Sequence, residues 1–159
     1  MKKIDFFDCK AKIALTFFAL VMGGTFLQTS CDSKKESKMN EYPSQEVSEA
    51  DAELKKTAND LNMQCPVDQM NGLVLESVTY SDNVFQYAYS CPDATFKMKD
   101  NDPKGKETIK NLFVASPESK EFIDYLIKSS SKLKYYYYTE KGRTSYIIFT
   151  QNELKTFFE

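Results

Sequence analysis

Residues 13–27 (Ile13 to Leu27) form an almost wholly apolar run near the start of a 159-residue chain, and this run divides the sequence into parts that cannot share one core. As a helix it would span only about 22 Å, short of the roughly 30 Å of a bilayer's hydrocarbon interior. Gly23 and Gly24 weaken that helix further. A permanent membrane span is therefore the poorer reading. The residues before the run carry Lys2, Lys3, Lys10 and Lys12 against Asp5 and Asp8, and the residues after it, Gln28-Thr29-Ser30, are small or polar. Basic, apolar, then small is the order of a secretory signal, which assigns residues 1–30 to a leader removed on export.

Cys31 stands where cleavage is expected. Thr29-Ser30-Cys31 resembles the relaxed lipobox of Bacteroidota-type lipoproteins, in which Ser-Cys often replaces the stricter Leu-Ala-Gly-Cys. The resemblance covers the leader alone. It implies diacylglycerol on the Cys31 sulfur, cleavage before Cys31 and acylation of the new amine. The chemistry needs a cysteine because a thiolate is a good nucleophile, and several acyl chains at about 0.8 kcal/mol per buried methylene hold far more firmly than one. It also implies a membrane partner through this lipid and a place in the bacterial cell envelope, at the outer membrane.

Residues 32–46 hold almost no apolar side chains beyond Met39 and Tyr42. Such a stretch cannot bury enough surface to offset the entropy of ordering it, so residues 31–47 are expected to be a flexible tether. That leaves 48–159 as one domain. The chain has 21 basic and 23 acidic residues, and removing the leader leaves 17 against 21, a net charge of −4. A mildly acidic domain lacks the basic stripe of a nucleic-acid binder. Histidine is absent, which excludes Ser-His-Asp and Cys-His catalysis and every metal site built on imidazole.

Within the domain, Val47, Leu54, Ala58 and Leu61 recur near helical spacing behind Ser48 as a cap, predicting a helix over 49–62. Residues 73–80 and 84–91 are rich in β-branched and aromatic side chains and flank the turn Ser81-Asp82-Asn83, which predicts a hairpin. Residues 97–105 read as a charged loop. Ile109, Leu112 and Phe113 suggest a short helix, and Ser116-Pro117-Glu118 opens another whose stripe is Phe122, Ile123, Leu126 and Ile127. A second hairpin over 133–139 and 144–150 follows, and Thr150 with Glu153 forms a capping box for a last helix. The order α-β-β-α-β-β-α predicts the α+β class: an antiparallel sheet of two hairpins with helices packed on one face.

Three constellations invite a functional reading. Cys65 and Cys91 are the only cysteines of the exported domain, and an oxidising compartment makes a disulfide their natural expectation. Such a bridge would close about 27 residues and contribute roughly 3.5 kcal/mol in the chain-entropy model. Asp100-Asn101-Asp102-Pro103-Lys104-Gly105 opens like a calcium loop, but Lys104 and Asn111 fall where ligands are needed, so a solvated turn is expected and no metal or other cofactor is assigned. Tyr135-Tyr136-Tyr137-Tyr138 is the most unusual feature. Alternation puts Tyr135 and Tyr137 with Leu133, and Tyr136 and Tyr138 with Lys134, so one pair faces the helices and the other is available for recognition.

Asn62-Met63-Gln64-Cys65-Pro66, followed by a hairpin ending in Tyr87-Ala88-Tyr89, is similar to a pattern in small exported proteins of the same bacteria, and no activity comes with it. The sequence thus points to a non-enzymatic envelope lipoprotein that binds a protein or glycan partner. A periplasmic inhibitor or immunity protein against a toxin or hydrolase fits the same small, acidic, anchored chain.

Overall fold

The structure, a computed structural model, describes residues 45–69, 72–94 and 96–159. The leader, Cys31 and the tether as far as residue 44 lie outside them. Helix α1 runs Gln45–Asn62, β1 Val67–Asp68, β2 Val74–Ser81, β3 Val84–Ser90, α2 Pro103–Val114, α3 Ser119–Lys128, β4 Lys132–Tyr138, β5 Thr144–Phe149 and α4 Gln151–Lys155. The expected α+β class is the observed one. The five strands lie in the order β1-β2-β3-β4-β5.

Each predicted hairpin is antiparallel, β2 with β3 and β4 with β5. The two hairpins meet in parallel, Val84 opposite Lys132 through to Ser90 opposite Tyr138, so the sheet is mixed where an antiparallel one was expected. The reason is the crossover: α2 and α3 carry the chain back to the end of the sheet at which β3 began, and β4 then runs the same way as β3. Local patterning specifies each hairpin but not how two hairpins dock.

Helix boundaries moved for local reasons. Helix α1 starts at Gln45, so Ser48 lies inside it and not at its cap. The charged loop ends earlier than expected because Asp102 caps α2, its carboxylate accepting from Gly105 N at 3.0 Å, with Pro103 at the first helical position. Helix α3 begins at Ser119, after Ser116 has turned its carbonyl to accept from Ser119 N at 3.0 Å and its hydroxyl toward Glu118. The capping box of α4 forms as expected, Thr150 N donating to Glu153 Oε2 at 2.8 Å.

The core lies between the helices and one face of the sheet. Helix α1 supplies Ala50, Leu54, Ala58 and Leu61, α3 supplies Phe122, Ile123 and Leu126, and α2 supplies Ile109 and Phe113. They meet Leu75, Val78, Phe85, Leu133, Ile147 and Phe149 of the sheet. Phe85 takes Phe122 edge-on at 4.9 Å and Phe149 takes Phe157 likewise at 5.2 Å. Each such fully buried apolar side chain contributes about 1.5–3 kcal/mol. Polar ties fix the geometry around this core. A bulge between Leu75 and Ser77 shifts the β2–β3 register, and beyond it Val78 N donates to Asn62 Oδ1 of α1 at 3.0 Å. The Tyr80 hydroxyl donates to Asp51, and Gln151 Nε2 bridges the carbonyls of Leu126 and Ser131.

Candidate functional site

Strand β4 distributes its tyrosines as the alternation requires. Leu133 is fully buried and Tyr137 is 4% exposed, both on the helix-covered face, with Tyr135 half-buried beside them. Because β3 and β4 are parallel and in register, Tyr87 stands opposite Tyr135 and Tyr89 opposite Tyr137. The four rings stack in a zigzag across the seam: Tyr87 on Tyr135 at 5.1 Å, Tyr135 on Tyr89 at 6.3 Å, Tyr89 on Tyr137 at 5.4 Å. Burial pushes the phenols of all four far above their usual range, and neighbouring phenols or thiols add to the rise. This half of the tyrosine run is packing.

Tyr136 and Tyr138 point to the opposite face, where they are half-buried and stacked on each other at 6.0 Å. Tyr146 of β5 lies directly opposite Tyr136. Lys134 sends its ammonium between these rings, 5.4 Å from the centre of Tyr136 and 6.0 Å from that of Tyr146. A cation held over two electron-rich faces is both positioned and left with its charge outward. Next to it is an open depression of about 360 Å³, lined by Val84, Gln86, Lys132, Lys134, Tyr146 and Ile148 with Ser81 and Asp82 at its rim. Ala88, opposite Tyr136 in the register, is buried. The large buried apolar side chains of the four described helices belong to the cluster on the other face, so among the described residues no helix packs its apolar stripe on this one.

Lys134 was placed on this face by alternation, but Gln86, Tyr146 and Ile148 carried no functional signal in the sequence. The available signal was the register of the second hairpin. A tight connection over 139–143, closed by Thr139 N to Arg143 O at 3.0 Å, sets Tyr146 against Tyr136.

The cysteines are not joined. The structure places no disulfide between Cys65 and Cys91, where one was expected. Cys65 precedes β1 and Cys91 follows β3, and β2 runs between those two strands. Each thiol donates to a carbonyl at 3.4 Å, Cys65 to Leu61 and Cys91 to Tyr138. Burial, helped by Glu76, pushes the Cys65 thiol up. The calcium-like segment is occupied with its own backbone. Asp102 caps α2, while Asp100 and Asn101 accept from β5, and no group of three or more potential metal ligands exists among the described residues. Cys31, the residue expected to carry lipid, lies outside the described residues.

No protein-family model matches the chain, and no curated protein matches it in sequence. Solved structures do resemble it. A secreted protein of Pseudomonas aeruginosa is 15% identical with a TM-score of 0.54, covering 70% of this chain and 97% of its own. The type II secretion system pilotin AspS of Vibrio cholerae is 10% identical with a TM-score of 0.50, covering 68% and 94%. The type II secretion system pilotin EpsS of Vibrio vulnificus is 12% identical with a TM-score of 0.51, covering 69% and 94%. At these identities the likeness is one of fold, and it spans nearly the whole of each of those chains.

Proposed function

We propose that this chain is a non-enzymatic interaction module of the bacterial envelope, anchored in the outer membrane by lipid on Cys31, and that the helix-free face of its sheet takes a protein partner. One observation carries the reading: Tyr136, Tyr138, Tyr146 and Lys134 form an ordered aromatic and cationic surface beside an open depression. Aromatic rings of this kind offer large contact area at low entropic cost, with a hydroxyl to fix orientation. The leader supports the anchoring. The likeness to a secreted protein and to two pilotins of secretion systems supports a role at an envelope assembly.

The two faces of β4 can be tested separately. Tyr136→Ser with Tyr138→Ser should cost about 1 kcal/mol or less per site, because these rings are only half-buried, and should abolish capture of the partner from membranes by the intact lipoprotein. Tyr135→Ser with Tyr137→Ser should instead unfold or strongly destabilise the domain, since truncating a core aromatic costs about 3–5 kcal/mol. A stable Tyr136/Tyr138 variant that captures partners at native yield would move the site elsewhere. Recovery of a toxin or hydrolase as the partner would select the inhibitor reading, and retention on a glycan column that free sugar reverses would select a glycan.

A further inference from the structure

Strand β5 ends the sheet, and three of its outward backbone groups are occupied by the chain itself. Asn101 N donates to Tyr146 O at 2.7 Å, Tyr146 N donates to Asp100 Oδ1 at 3.2 Å, and Ile148 N donates to Asn101 Oδ1 at 2.9 Å. Two of these three bonds come from side chains imitating the carbonyls of a sixth strand. The segment also has the pattern of one: Phe96 is buried, Lys97 exposed, Met98 half-buried against the core and Lys99 exposed. Arg143 pins its start, with Nη2 donating to Phe96 O at 2.5 Å and the guanidinium 4.8 Å from the Phe96 ring centre. Asn101 adopts φ +51°, which asparagine tolerates better than most residues, and this turns the segment into α2 before a regular ladder can form.

The strand behind this segment is hazardous without it. Residues 144–152 contain no charge, and Tyr146-Ile147-Ile148-Phe149 are consecutive strong strand formers. An uncovered edge of that composition is a template for another strand, and natural edges are blunted by coverage or by lysines. Here Lys97 and Lys99 ride on the covering segment. We propose that residues 96–101 are a built-in guard of the β5 edge, and that the occupant this edge takes when the guard is released is β5 of a second copy, paired antiparallel about a two-fold axis. The absence of like charges on the two facing strands removes any repulsion that would forbid the pairing.

The test uses the full-length chain in detergent, with mass measured by light scattering over a range of concentrations and amide exchange followed at Tyr146 and Ile148. The native chain should remain a single copy with both amides protected. Asp100→Ala with Asn101→Gly, which removes both acceptors and keeps the backbone angle accessible, should form concentration-dependent pairs. Its Tyr146 and Ile148 amides should exchange fast when dilute and slowly when concentrated. Asp100→Asn with Asn101→Asp, which keeps both acceptor oxygens, should behave as native. A double variant that exposes both amides yet stays single at every concentration overturns the proposal, and so does a native chain that already pairs through β5. Should the double variant lose its helical circular dichroism, Asn101→Gly alone, which frees only the Ile148 amide, is read in the same way.

Discussion

At the scale of single residues, the cysteines show what a short strand can hide. An oxidising compartment suggested a bridge between them; the fold adds β1 on the far side of β2, and that two-residue strand was too short to leave a periodic signal. The proposed export makes their redox state worth measuring. In folded protein taken from the envelope without reductant, Cys91 should resist alkylation until denaturant is added, because it is buried. Cys65 should react slowly near pH 8 and faster as pH passes 9, since burial and Glu76 hold its thiol protonated. Mass analysis reads both. A peptide linking Cys65 to Cys91 would mean that the flanking segments close across β2 in the cell. Other residues were legible: Thr150 and Glu153 are a capping box because their chemistry is local, and local chemistry survives any tertiary arrangement.

At the scale of elements, every predicted strand and helix exists, and the errors sit where long-range packing decides. The tyrosine faces of β4 followed from alternation alone. The stack they form with Tyr87 and Tyr89 did not, because it depends on the parallel seam. That stack has a consequence for alkaline stability. Below about pH 10 these phenols are neutral in both folded and unfolded chains, so they give no pH dependence there. Above it the unfolded chain releases their protons while burial keeps them bound in the folded one, so stability falls as pH rises from about 10 toward the raised folded values. Absorbance near 295 nm should therefore show a late block of phenolate that appears together with loss of far-ultraviolet circular dichroism. Smooth ionisation of all ten tyrosines with the fold intact would contradict the burial of the stack.

At the scale of the whole molecule, the proposed anchor and the domain can be tested separately. Thirteen residues lie between Cys31 and Gln45, and fully extended they span at most roughly 45 Å, which bounds how far a lipid on Cys31 would let the open face reach. Cys31→Ala should shift the protein out of the membrane fraction or leave it as an uncut precursor, with the thermal unfolding of the domain unchanged. A variant that migrates and partitions like the native protein would refute lipid anchoring. The candidate site itself was half visible from sequence: the tyrosine run announced itself, but a depression assembled from β3, β4 and β5 requires knowing which strands are neighbours.

The parallel seam also sets a timetable. A chain made N-terminus first completes β3 long before β4, with residues 91–131 in between. At roughly 5–20 residues per second of synthesis, the Tyr87-Ala88-Tyr89 edge waits about 2–8 s for the strand that completes it. During that interval the newborn hairpin has an unpaired, aromatic edge, an open template for any other strand until β4 arrives.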